Sequence, residues 1–125
     1  MLSFFKKILQ KPPETVIDYL DEQVLAKFKP ELQQRLVSIF TKQVSETLPK
    51  LDVALKDNNL EEIYKLAHFL KGGCQGIGAI HMADICLDLQ TAGEQQQLTQ
   101  SDELVQQLKL SYEKTEQQLS PAKKN

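Results

Sequence analysis

Apolar residues recur at spacings of three and four along nearly the whole chain, and nowhere show the period-two alternation of a half-buried strand. The chain therefore reads as all helix. After Pro12 and Pro13, Thr15 followed by Asp18 resembles a capping box opening a helix through Ile17, Leu20, Val24 and Phe28. Pro30, suited to a first helical position because its missing N–H is not needed there, restarts the chain. A long stripe of Leu32, Leu36, Ile39, Phe40, Leu48, Leu51 and Leu55 follows, and Pro49 within it predicts a kink. Asp57, Asn58 and Asn59 break the pattern. Asn59 with Glu62 starts a further helix carrying Leu60, Ile63, Ala67, Leu70 and Cys74. Beyond Gly76 and Gly78, a segment with Ile80, Ala83, Ile85, Cys86, Leu87 and Leu89 is apolar on most sides, as a central element should be, and Gly93 is its expected stop. Ser101 with Asp102 and Glu103 suits the start of a last helix through Leu104, Leu108, Tyr112, Thr115 and Leu119. The fold expected is all-α: an antiparallel four-helix bundle with a short additional N-terminal helix. Its domain spans residues 15–120, after an apolar and basic segment at 1–14 and before a flexible tail at 121–125.

At 125 residues the chain can build a single core without a bound metal or cross-links. A net charge of -2 argues against a nucleic-acid binder held by bulk positive charge, so function must reside in a local site. Cys74 and Cys86 lack a C-x-x-C spacing and sit among apolar neighbours, which predicts reduced, buried thiols of a cytoplasmic protein. No apolar run reaches the length of a membrane span. Residues 1–9 carry a lysine pair among apolar residues but lack the ordered regions of a signal peptide, so export is not expected. Packing of Leu2, Phe5 and Leu9 on the bundle is favoured there over membrane contact by residues 1–11.

Helical arithmetic singles out His68. With Leu60, Ile63, Ala67, Leu70 and Cys74 turned inward, Glu61, Lys65, His68, Gly72 and Gln75 share the solvent face, and Lys71 borders the imidazole. An exposed neutral imidazole is a competent nucleophile near neutral pH, and Lys65 and Lys71 are placed to offset the charge of a phosphoryl group. Gly72 is a costly residue in mid-helix, by about 0.5 to 1 kcal/mol relative to Ala. One turn beyond His68, its bareness clears space for a second protein to reach the ring; the competing explanation is close helix packing or an early helix end, preferred for Gly73. Tyr64 and Phe69 flank this face as an apolar rim suited to a partner, Phe69 the better placed. His81 has no acidic or cysteine partner at ligand spacing, so it reads as a surface or capping residue, and neither metal nor cofactor is expected.

The stretch from Ala67 to Ala79 resembles the histidine phosphotransfer (HPt) family, whose pattern H-x-L-K-G-x-x-x-x-x-G-A is met by His68, Leu70, Lys71, Gly72, Gly78 and Ala79. The resemblance extends over most of residues 16–119, including the acidic turn near Asp57 and Cys86, and excludes the N-terminal segment. It implies that His68 takes a phosphoryl group from the aspartate of one receiver domain and passes it to another, with Lys71 and Gly72 assisting. It also implies a glutamine on the adjacent helix near the imidazole, a position at which Gln90 falls. The implied partners are receiver domains of response regulators and of hybrid sensor histidine kinases, met by Tyr64, Lys65, Phe69, Gln75 and Gln90 on a free-standing, monomeric, cytoplasmic carrier. The sequence departs from the common pattern in Gly73, where Ser or Ala is usual, and in Gly76.

Two other classes compete. A histidine-dependent phosphatase needs a general acid or base beside His68, where helical spacing supplies mostly lysines and glycine. A non-catalytic helical module that binds receiver domains or a kinase explains the bundle but not the exposed His-Lys-Gly constellation. No Gly-rich loop in a nucleotide-binding setting is present, so autonomous kinase activity is not expected.

Overall fold

The computed structural model describes residues 17–124, with side chains through Leu119. Among these residues there are five helices and no strand: α1 (Glu22–Ala26), α2 (Pro30–Lys56), α3 (Leu60–Ile77), α4 (Ile80–Glu94) and α5 (Leu98–Lys124). The last four form the bundle, with α4 packed between α3 and α5, and α2 closing the other side against both. Thr15 and the apolar positions of residues 1–11 lie outside the described residues.

The local signals act much as their chemistry dictates. Pro30 stands at the start of α2, and Asn59 caps α3 by accepting from the Glu62 N–H at 3.1 Å. α2 continues unbroken through Pro49, and its buried face is Val37, Phe40, Val44, Thr47, Leu51 and Ala54. That set repeats by three and four, as a core-facing stripe must. It differs from the expected stripe, in which Leu32 and Ile39 counted as core; both are exposed, because a helix in a four-helix bundle has one buried face and more apolar residues than that face holds.

Four boundaries differ from expectation. The first helix is a short α1 rather than a run from Thr15 to Phe28: Asp21 is its N-cap, accepting from the Gln23 N–H at 3.0 Å, and its own N–H donates to the Gly78 carbonyl at 2.7 Å. Gly93 does not stop α4, which runs to Glu94; the left-handed residue after it is Gln96, with φ 58°. Gln97 N–H closes that turn on the Ala92 carbonyl at 2.9 Å. α5 begins at Leu98, so Ser101 lies inside it, buried, its hydroxyl donating to the Gln97 carbonyl at 2.8 Å. The backbone of residues 121–124 continues α5 where a separate tail was expected.

Cys74 and Cys86 are free and wholly buried where α3 meets α4. Their mutual hydrogen bond and their burial push the Cys74 thiol far above its ordinary range, so it stays protonated. His81 is not a simple surface residue. Its Nδ1 lies 2.7 Å from the Ser111 hydroxyl, and its ring meets Tyr19 edge-on at 4.7 Å, tying the start of α4 to α5 and to the chain before α1.

Candidate functional site

α3 carries the site because its two faces differ in kind. Ile63, Leu66, Ala67, Leu70, Cys74 and Ile77 are buried, which leaves Glu61, Lys65, His68, Gly72 and Gln75 exposed along one line. The C-terminus of α3 is held by a left-handed residue, Gly78, with φ 82°. The Ala79 N–H donates to the Cys74 carbonyl at 2.8 Å and the Gly78 N–H to Gln75 at 3.3 Å, satisfying carbonyls that the helix itself leaves open. A Cβ at Gly78 would also fall 2.6 Å from the Asp21 carbonyl, so this position needs glycine twice over: for its φ and for the start of α1 against it.

His68 is exposed but not loose. Its Nδ1 faces inward to the Gln90 amide on α4, at 3.2 Å from Nε2, while Gln90 itself is only 8% exposed. The ring nitrogen left for a partner is therefore Nε2. Tyr64, one turn earlier on α3 and half-buried, lies parallel to the imidazole, with centroids 6.4 Å apart and 2° between planes. The Gln90 Oε1 is buried without a hydrogen-bond partner. An amide turned over would put that oxygen on Nδ1 and leave the NH2 unpartnered instead, so the ring decides the orientation. Only with Oε1 accepting from Nδ1–H does Nε2 carry a free lone pair.

Space and charge around the ring are uneven. A Cβ built on Gly72 would meet nothing within 4 Å, and φ there is not positive, so Gly72 is an ordinary right-handed helical residue with neither packing nor backbone need for glycine. Gly73 is different: a side chain there would run into the end of the Gln43 side chain of α2, whose amide donates to the Phe69 carbonyl at 3.3 Å. Lys65 is paired with Glu61 at 3.2 Å, both exposed. Among the described residues Lys71 has no ion pair, which leaves it the cation available to an anion on His68. Phe69 is 61% exposed, a large apolar side chain beside the histidine face. Gln75 lies two turns beyond His68 on the same exposed line and makes no side-chain bond to the cluster. The structure thus joins His68, Tyr64 and Gln90 by contact, sets Lys71 and Gly72 beside them, and leaves Lys65, Phe69 and Gln75 around the rim. Gln43 carries no recognisable signal in the sequence, and Gly93 reads there only as a helix stop. Among the described residues no group of three His, Cys, Asp or Glu is arranged to hold a metal.

The sequence model of the Hpt domain matches residues 35–118, well over half of the chain, and the chain belongs to this family. A segment of 58 residues is 38% identical to the phosphorelay intermediate protein YPD1 of Candida albicans, covering 46% of this chain and 32% of that relative. The match therefore spans about a third of that protein's length. The crystal structure of histidine-containing phosphotransfer protein B (HptB) from Pseudomonas aeruginosa PAO1 superposes with a TM-score of 0.81 at 22% identity, over 87% of this chain and 97% of that one, so the two share a fold.

Proposed function

We propose that the chain is a phosphorelay carrier that accepts a phosphoryl group at His68 Nε2 from the aspartyl phosphate of one receiver domain and passes it to the aspartate of another. The observation that supports this most is the pairing of an inward-bonded Nδ1 with an outward Nε2 over open space at Gly72. In the forward step the Nε2 lone pair forms an N–P bond as the acyl-phosphate O–P bond breaks, and the partner's carboxylate leaves with its electron pair. With the Gln90 amide turned so that Oε1 accepts, the proton stays on Nδ1 and is hydrogen-bonded to that oxygen, so the phosphorylated imidazole is stabilised where its positive charge develops. Lys71 offsets the charge added to the surface. The reverse step with a second receiver needs no other group on this chain, which makes it a carrier without kinase activity of its own. Its partners are receiver domains of response regulators and hybrid sensor kinases, docking over Tyr64, Lys65, Phe69 and Gln75. It acts as a monomer in the cytoplasm, a placement consistent with the lack of a membrane-spanning helix among the described residues.

The test is incubation with a receiver domain phosphorylated on its aspartate. Wild type gains acid-labile, base-stable label, and His68→Gln gains none while its melting temperature stays within about 2 °C, since an exposed polar residue is replaced by a good helix former. Label that persists in His68→Gln would refute the assignment. A wild-type chain that binds the receiver without acquiring label would make it an interaction module instead.

A further inference from the structure

Gly93 lies buried inside α4, where a glycine is unfavourable relative to alanine and where φ is not positive, so neither helix propensity nor a turn explains it. What it touches does. A Cβ there would lie 3.1 Å from the Leu60 carbonyl oxygen, 3.2 Å from the Tyr64 backbone nitrogen and 3.4 Å from the Tyr64 Cβ. Two of those atoms belong to the backbone of α3 and cannot swing aside, so a side chain at this position separates α3 and α4 by a few tenths of an ångström. Gln90 stands one turn before Gly93 on the same buried face of α4. Its amide nitrogen lies 3.2 Å from His68 Nδ1; with the amide turned over, Oε1 takes that place and accepts from Nδ1–H at a distance already at the long end for such a bond, so even a small separation weakens it. Tyr64, the residue Gly93 presses against, is also the one whose ring lies parallel to the imidazole.

We propose that Gly93 is a positioning residue for the phospho-acceptor: by letting α4 lie directly on the α3 backbone at Leu60 and Tyr64, it brings Gln90 into bonding distance of Nδ1 and so holds His68 in the tautomer with Nε2 free. This deepens the phosphotransfer role of His68 and rests on it for its consequence, though not for its geometry.

The experiment compares wild type, Gly93→Ala, Gln90→Leu and the double variant by the nitrogen chemical shifts of the His68 ring, which report tautomer directly. Labelling by phosphoramidate, a small donor that needs no docking surface, is measured alongside. Gly93→Ala is expected to shift the ring nitrogens from a single tautomer toward a mixture and to slow labelling about two- to tenfold, the loss of one hydrogen bond. Because Gly93 acts through Gln90, adding Gly93→Ala to Gln90→Leu should change neither reading further. A Gly93→Ala chain that folds with wild-type ring shifts and labelling rate overturns the proposal, as does a double variant whose effects simply add. Should Gly93→Ala fold poorly, the same series is made in the Gly76→Ala background, where a Cβ meets nothing within 4 Å and helix propensity restores stability. A ring that changes tautomer in Gly93→Ala while the wild type accepts nothing from any phosphorylated receiver would separate the two ideas, leaving the positioning intact and the relay function refuted.

Discussion

Replacing Gly72 sets stability against transfer. The residue is helical and exposed with φ in the ordinary range, and beyond its own helix a Cβ there meets nothing within 4 Å. Gly72→Ala therefore meets no obstacle, and it removes the excess backbone freedom of glycine from the unfolded chain. Stability should rise by up to about 1 kcal/mol, or about 4 °C in Tm for a domain of this size. Gly72→Gln should gain somewhat less. Transfer should move the other way, because residue 72 is one turn from His68 on the same face and a long side chain there occupies the approach to Nε2. The expected order of rates is Gly, then Ala, then Gln, with the Gln variant folded and at least as stable as wild type. Urea unfolding and transfer from a phosphorylated receiver, measured on the same samples, check both halves. Destabilised variants would show that glycine serves packing after all; a folded Gly72→Gln with wild-type transfer would show that access is not what the bare position provides.

Lys71→Ala should slow transfer about two- to fivefold without abolishing it, the worth of one partly exposed charge near a developing anion, and the effect should shrink in high salt; an unchanged rate at low salt would remove Lys71 from the site. Tyr112, whose hydroxyl donates to Glu116 at 2.7 Å, is held up to about 12 by burial and then by that carboxylate. Its folded value lies above the unfolded one, so its contribution to stability is complete below pH 10 and is lost as pH rises toward 12. Phenolate absorbance should therefore show a late transition that Tyr112→Phe removes; a wild-type chain without a transition near pH 12 would contradict this.

What the sequence disclosed and what it withheld divide along a physical line. The exposed row of Glu61, Lys65, His68, Gly72 and Gln75 follows from helical period and one apolar stripe, both properties of a single segment, and so do the Asn59 cap and the Pro30 start. Several of the misreadings involve a second segment. Ser101 has the composition of a cap but faces the core, and Gly93 has the composition of a stop but lies against the backbone of α3. His81 has no partner in its own helix yet finds Ser111 across the bundle. In each case a residue type with two uses was assigned its local use, because the distance between helices is not written in either helix alone. Gln90 is the instructive exception. Family resemblance pointed to its position, yet the 3.2 Å bond that makes it relevant depends on how closely α4 approaches α3. That approach is set one turn later, at Gly93, so the acceptor's chemistry depends on a residue that does not touch the imidazole.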